Sequence, residues 1–367
     1  GQSRRETANL APPSDRSFVK AVNIGWAKQE YFRGDDEIFD AMSKIRIGMI
    51  GCGGIARHHM RQLAPIPDAE IVALCDPSVP MIELVHHEFP HTRELRVFND
   101  YREMLESVEM DAVQISTPHT QHLAQMEDSF ARGLHVLCEK PLATTVVDAH
   151  KAIRARDASG KVGLLAYQRH TQAEFKFIKK AIDGGEFGVP TFITALQSQE
   201  WKKATAGSWR QDPALSGGGQ INDSGSHLID IILWTTGLRA ESVACFSDNC
   251  GTPVDINSTV SIRFEGGAMA SLSVVGDAPA WHEDITIWCE RGAFFMRNGK
   301  LTVQDADGAR FSAEGLRGGN NPDVNFVNAI LDREEVLSPF ECGLRVIELT
   351  EAAWRSAAQN GTPVQVE

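Results

Sequence analysis

The stretch KIRIGMIGCGGIA, residues 44–56, decides the fold. Its apolar run at 45–50 reads as a buried strand. The chain then turns through Gly51, Cys52, Gly53 and Gly54 into Ile55 and Ala56, a G-x-G-x-x-A turn that opens a helix. Gly51 permits the tight turn, Gly53 lets the backbone approach a pyrophosphate, and Ala56 allows the helix to pack closely on the strand. The helix N-terminus presents unpaired N–H groups and the positive end of a dipole to phosphate. A glycine fingerprint alone is weak. Here it follows a strand, precedes a helix, and is followed 20 residues after Ala56 by Asp76, at the end of the next strand, AEIVALCDP (69–77). A carboxylate there accepts hydrogen bonds from adenosine ribose hydroxyls and repels a 2′-phosphate. Pro77 and Ser78 follow it, with no Arg, so NAD is expected over NADP. The alternative for Asp76 is a turn cap.

Working outward, DAVQISTP (111–118), LHVLCEKP (134–141) and KVGLLAYQ (161–168) repeat the apolar strand, with helical segments such as YREMLES and HLAQMEDSFARG between them. Strands alternating with helices at this spacing imply a doubly wound parallel sheet, a Rossmann dinucleotide-binding domain over 45–168. After about 170 the rhythm changes. Strand-like runs (FITALQSQE, ESVACFSD, NSTVSIRFEGGAMASLSVVG and those that follow) are separated by GG, RG, NG and DG turns, the mark of antiparallel hairpins. A helix is expected at 223–236 and a closing helix at 341–358. Residues 169–367 thus read as an α+β domain with a mostly antiparallel open sheet, serving substrate binding and oligomerisation. Residues 1–44 stand apart: SFVKAVNIGWAKQEYF is too aromatic for a solvated linker and too short for its own core. It reads as an arm on its own body or on a neighbouring subunit, the alternative being a partly ordered tail.

Composition narrows the class. With 42% hydrophobic and 23% charged residues, the 367-residue chain is an ordinary globular protein of two domains. A net charge of −13 without a basic stripe argues against nucleic acid, and no apolar run reaches the length of a membrane span. The seven cysteines form no CxxC pair and mostly sit in apolar runs, so they read as reduced core residues of a cytoplasmic protein. Paired arginines in SRRE (3–6) hint at a twin-arginine leader, but no apolar h-region follows them.

Chemistry gathers at three further places. STPHTQH (116–122) ends a strand where the crevice of a parallel sheet opens, putting Thr117, Pro118 and His119 beside the dinucleotide; His122 reads as a cap or packing residue of the next helix. Glu139, Lys140 and Pro141 end the following strand. GGGQINDSGSHLID (217–230) places three glycines before Asp223 and His227, which at i and i+4 share a helix face. In this order, G-x-G-x-x-A, T-P-H-x-x-H, E-K-P and G-G-G-x-x-x-D-x-x-x-H-x-x-D resemble the glucose–fructose oxidoreductase / inositol dehydrogenase / MocA family from residue 45 to the end. The resemblance implies an oxidoreductase acting on a sugar, sugar derivative or cyclic polyol, with Lys140, Asp223 and His227 catalytic. It also implies a homodimer or homotetramer.

The residue chemistry agrees with those roles. Oxidising an alcohol needs a hydride acceptor and a base. His227 is the candidate base, since the intrinsic pKa of an imidazole lies near neutrality; Lys140 stabilises developing alkoxide, and Asp223 binds a neighbouring hydroxyl or orients the imidazole. The glycines are expected to bring the loop close to sugar and nicotinamide. Glu139 reads as cofactor-binding or structural, and bland readings stand beside the rest: a solvated Lys at a strand corner, a core His, and a packing or ion-pair role for Asp230. Arg169 in YQRH touches cofactor or substrate, or else makes a salt bridge between domains. In EWKKATAGSWR (200–210), Trp201, Trp209 and Arg210 form a carbohydrate wall or a packed loop. Two other functions compete: a redox-neutral glycoside hydrolase that oxidises its sugar transiently on tightly held NAD, and a non-catalytic ligand sensor. Metal ligation is not expected.

Overall fold

Ile45, Ile47, Met49 and Ile50 are all buried, so the first strand is covered on both faces, as a central parallel strand must be. In the computed structural model, which describes residues 44–367, this is β1 (Ile45–Ile50). The arm expected at 1–44 falls, apart from Lys44, outside the described residues. β1 leads through the glycine turn to α1 (Gly54–Leu63), then β2 (Ala69–Cys75), α2 (Val79–Glu88), β3 (Arg96–Phe98), α3 (Tyr101–Ser107), β4 (Ala112–Ile115), α4 (His122–Ala131), β5 (His135–Cys138), α5 (Val146–Ser159) and β6 (Gly163–Leu165). All pairings are parallel, in the order β3-β2-β1-β4-β5-β6, the doubly wound Rossmann arrangement. The strand order reverses between β1 and β4, so the crevice opens there. β6 is shorter than the run read at 161–168, because Gln168–Thr171 turns into a short 3-10 helix.

A connecting helix, α6 (Ala173–Asp183), leads to the second sheet: β7 (Pro190–Ser198), β8 (Ala240–Asp248), β9 (Asn257–Phe264), β10 (Met269–Val275), β11 (His282–Cys289), β12 (Gly292–Arg297), β13 (Lys300–Gln304), β14 (Arg310–Ser312) and β15 (Val364–Gln365). The order is β14-β13-β12-β11-β7-β10-β9-β8-β15, with β7–β10 the one parallel pair. Alternation sets its faces. In β9, Ser258, Val260, Ile262 and Phe264 point inward while Thr259, Ser261 and Arg263 face out. The β12–β13 hairpin turns at Asn298 and Gly299, both at positive φ, as a two-residue loop between twisted strands requires.

Between β7 and β8 lie two one-turn helices, α7 (Trp201–Ala204) and α8 (Pro213–Ser216), and the apolar α9 (Gly225–Thr236), which ends at Gly237 with φ 68°. α9 begins at Gly225, so Asp223 lies in the turn before it and not on the helix expected from 223. α10 (Pro322–Ile330) is capped by Asn321, whose side chain accepts from Val324 N–H, with Pro322 in its first turn. It returns to the first sheet, where Phe326 and Val327 join the core of Ile47, Met49 and Leu164. The closing helix α11 (Phe340–Ala358) packs against α5, α9 and β8. Five of the seven cysteines are buried and all are free thiols. Among the described residues no helix is long and apolar enough to cross a membrane.

Candidate active site

The glycine turn is specified from two sides. Gly51 has φ +88°, and a Cβ there would stand 2.7 Å from the Ser116 carbonyl oxygen, so the neighbouring strand end enforces glycine. Nothing lies within 4 Å of a Cβ at Gly53 or Gly54, which face an open groove. No side chain caps α1, so its first N–H groups point unpaired into that groove, a cradle that suits a pyrophosphate. Ala56 is fully buried, while Ile55 is exposed and lines the neighbouring cavity described next. Asp76 lines the groove and already accepts from Cys52 N–H and Ser78 N–H, both at 2.8 Å. It therefore acts as the turn cap and still has lone pairs for ribose hydroxyls. Thr117, Pro118 and Gln121 form the far wall, Thr117 bonding to Gln125 at 2.6 Å.

A second cavity adjoins this groove through Ser116, Thr117 and Trp209, and Lys140, His119 and His227 line it. Lys140, just beyond β5, reaches across to the second lobe, where its Nζ donates to Asp223 Oδ1 at 2.6 Å and to the Asp223 carbonyl at 3.0 Å. The other carboxylate oxygen accepts from Trp201 Nε1 at 2.8 Å and Arg210 Nε at 3.1 Å. Burial alone would raise the Asp223 pKa. The charges of Lys140, first, and Arg210 outweigh it and hold the group ionised, far below the usual carboxylate range. Asp223 is thus a clamp for cations, not a proton acceptor.

His227, in the first turn of α9, lines the same cavity. Burial, then Lys140 and Arg169, drive its pKa well down, so the imidazole is neutral. Its Nδ1 is buried without a partner, leaving Nε2 to face the cavity. His119 is neutral as well: burial first, then Lys140, against the pull of Asp223, push it down to about 3. Its Nδ1 stands 3.0 Å from the Ser216 carbonyl oxygen. Trp209 packs edge-on to His119, with ring centroids 4.8 Å apart, and Arg210 stacks over Trp209. The loop therefore lies on both cavities.

Several expectations change here. Arg169 does not line either cavity; its guanidinium is buried in an ion pair with Glu283 of β11, which is the salt-bridge alternative. The glycines 217–219 line neither of these two cavities. Cβ atoms there would strike Thr144, Trp354 and the Asp255 backbone, the last at 2.0 Å, so the close approach is made by the chain itself. Asp255 holds that loop by accepting from Gly219 N–H and Ile221 N–H. His122 is no helix cap: its ring nitrogens contact the Pro141 and Thr117 carbonyls at 2.8 and 3.0 Å.

Sequence reasoning missed one buried cluster. His59 of α1 contacts Asp323 of α10 through Nδ1 at 2.9 Å and Glu139 through Nε2 at 3.1 Å. Burial disfavours the imidazolium, but the two carboxylates overturn that and raise its pKa to about 10. Glu139 also accepts from Lys140 N–H at 3.0 Å, so the cluster supports the backbone that carries the lysine. Gln168, on the cavity wall beside Ala166, was missed too. His59 repeats at i+4 from Ile55, the one signal that placed it on the cavity side of α1.

A Rossmann groove continuous with a cavity shared by two lobes defines the two-lobed dinucleotide-binding oxidoreductases. Residues 45–167 match the model described as "Oxidoreductase family, NAD-binding Rossmann fold", and 175–295 match the "GFO/IDH/MocA C-terminal domain". The chain belongs to the GFO/IDH/MocA oxidoreductase family, and its first lobe is an NAD-binding Rossmann domain. The rhizopine catabolism protein MocA of Rhizobium meliloti is 32% identical over 199 residues, which are 53% of this chain and 58% of that protein. An inositol 2-dehydrogenase of Burkholderia multivorans is 26% identical over 53% of this chain and 55% of its own length. The chain thus spans little more than half the length of these two relatives. An uncharacterised oxidoreductase of Bacillus subtilis, YrbE, is 23% identical over 88% of this chain and 97% of its own. Among solved structures, the WlbA dehydrogenase from Bordetella pertussis, in complex with NADH and UDP-GlcNAcA, is 26% identical with a TM-score of 0.77, over 89% of this chain and 98% of that one. A levoglucosan dehydrogenase in complex with NADH shares the fold at 21% identity and a TM-score of 0.78, over 89% of this chain and 100% of that one.

Proposed function

We propose that the protein is an NAD-dependent dehydrogenase of a sugar, sugar derivative or cyclic polyol, with Lys140, Asp223 and His227 as its catalytic group. The observation that carries this reading is the 2.6 Å bond between Lys140 of the first lobe and Asp223 of the second, at a cavity that His227 also lines and that opens into the dinucleotide groove. NAD, when bound, supplies the hydride acceptor. His227 Nε2, neutral and facing the cavity, takes the proton of the substrate hydroxyl. Lys140 spends two of its three N–H groups on Asp223 and turns the third to the reacting oxygen, stabilising alkoxide character in a water-poor site. Asp223 fixes the ammonium and, through Arg210, the loop bearing Trp209. The relatives acting on inositol and levoglucosan support the substrate class.

The test is a panel of myo-inositol, D-glucose, levoglucosan and aryl glycosides, read both as NADH formation and as aglycone release. NADH formation that falls roughly 10²–10⁴-fold in His227→Ala is the expected result. Aglycone release without net NADH would replace the reading with the redox-neutral hydrolase, and inactivity toward every compound would remove it.

We also propose that the outer face of the second sheet is covered by a second copy of the chain. Phe192 of β7 is flanked by Met269 and Trp288 on the neighbouring strands, and all three are exposed. Light scattering is expected to report a dimer or tetramer, and Phe192→Asp to shift it toward monomer. Oligomeric mass unchanged in that variant would place the interface elsewhere.

A further inference from the structure

His119 carries an unused lone pair. A carbonyl oxygen can only accept, so the Ser216 carbonyl 3.0 Å from Nδ1 requires the ring proton to sit on Nδ1. The ring is buried and neutral, which leaves Nε2 as an acceptor on the cavity wall. Among the described residues no donor stands within hydrogen-bond distance of Nε2. Asp223 Oδ1, a second acceptor, stands 3.8 Å from it. Two acceptors facing each other with no proton between them call for a donor from outside the chain.

The position of that donor follows from Lys140. Nζ and Nε2 flank the same carboxylate oxygen, Asp223 Oδ1, at 2.6 and 3.8 Å. Both nitrogens approach that one oxygen, so oxygens seated on Lys140 and on His119 are neighbours, as hydroxyls on adjacent carbons are. We propose that His119 is a specificity-determining residue whose Nε2 accepts the hydrogen bond of the hydroxyl next to the one oxidised, so that the enzyme requires a vicinal diol. This rests on the dehydrogenase reading and narrows its substrate class. Trp209 packs edge-on against the imidazole and lines the same cavity.

Two measurements test the inference. In protein carrying isotope-labelled histidine, nitrogen resonances are expected to show His119 Nε2 unprotonated at neutral pH, assigned by its loss in His119→Gln. A protonated Nε2 overturns the inference whatever the enzyme's substrate. The second measurement compares kcat/KM for a panel compound that reduces NAD with that for its monodeoxy analogue lacking the adjacent hydroxyl. Wild type is expected to prefer the full polyol by about 10²-fold or more. His119→Leu should lose most of that preference, and His119→Gln, which keeps an acceptor oxygen, should retain part of it. Preference undiminished in His119→Leu means that water or the dinucleotide occupies Nε2, and sinks the inference while the dehydrogenase reading stands. If nothing on the panel reduces NAD, that reading fails and the inference falls with it.

Discussion

Asp223 shows how much one carboxylate can be asked to do. Its two oxygens are held by Lys140 from the first lobe and by Trp201 and Arg210 from its own. Its pKa is depressed, so the stability it lends is complete above the ordinary aspartate range near 4 and is lost only as pH falls below it. Removing one partner of a buried pair is worse than never having built it. Asp223→Leu is therefore expected to cost about 3–5 kcal/mol in denaturant unfolding, since Lys140 loses its counter-charge and buried Trp201 Nε1 its acceptor. Combining it with Lys140→Met should lose at least about 1 kcal/mol less than the two single effects together. Strict additivity would show that the ion pair is not the source of the cost. The sequence named Lys140, Asp223 and His227 through the order of their motifs. It could not show that Trp201 and Arg210 converge on Asp223, because a contact across a folded loop leaves no periodicity to read.

At the scale of elements, the least legible feature was α10. Asn321, Pro322 and Asp323 make a good helix start, but the helix is only nine residues long and follows a turn-rich stretch, so its return to the first sheet was not foreseen. Strands and long helices announced themselves by apolar runs, and the Rossmann half was readable for that reason. What α10 adds is electrostatic: Asp323 holds the His59 imidazolium of α1, which in turn holds Glu139 beyond β5. The charged groups facing this imidazole are those two carboxylates, with His58 on the same helix beside it. Its folded pKa of about 10 lies above the ordinary histidine value of about 6.5. The stability it contributes is thus fully present below about pH 6.5 and drains away as pH rises toward 10. Wild type is expected to lose on the order of 2–4 kcal/mol of unfolding free energy across that window. His59→Asn should start lower and show little slope there; an equal slope in both proteins would mean that another group carries it.

For the molecule as a whole, folding and cofactor binding meet at two glycines two residues apart. The fingerprint marks Gly51 and Gly53 alike, and only their surroundings separate them. Gly51 sits at positive φ against the Ser116 carbonyl, so a side chain there strains the junction of β1 with β4 whether or not NAD is present. Gly53 has an extended backbone, φ −69° and ψ −168°, that any residue adopts, and open space where a Cβ would go. A ligand that binds only the folded state stabilises it in proportion to the logarithm of its excess, about 2.7 kcal/mol at a hundredfold excess over Kd. In protein freed of NAD, Gly51→Ala is expected to lower stability by about 1–3 kcal/mol, while Gly53→Val should unfold like wild type. Adding NAD should raise the thermal midpoint of wild type and leave that of Gly53→Val where it was, because the valine fills the space over the unpaired N–H groups of α1. A midpoint in Gly53→Val that rises with NAD as far as in wild type would mean that the dinucleotide does not lie over this turn, and the hydride acceptor would have to be sought elsewhere.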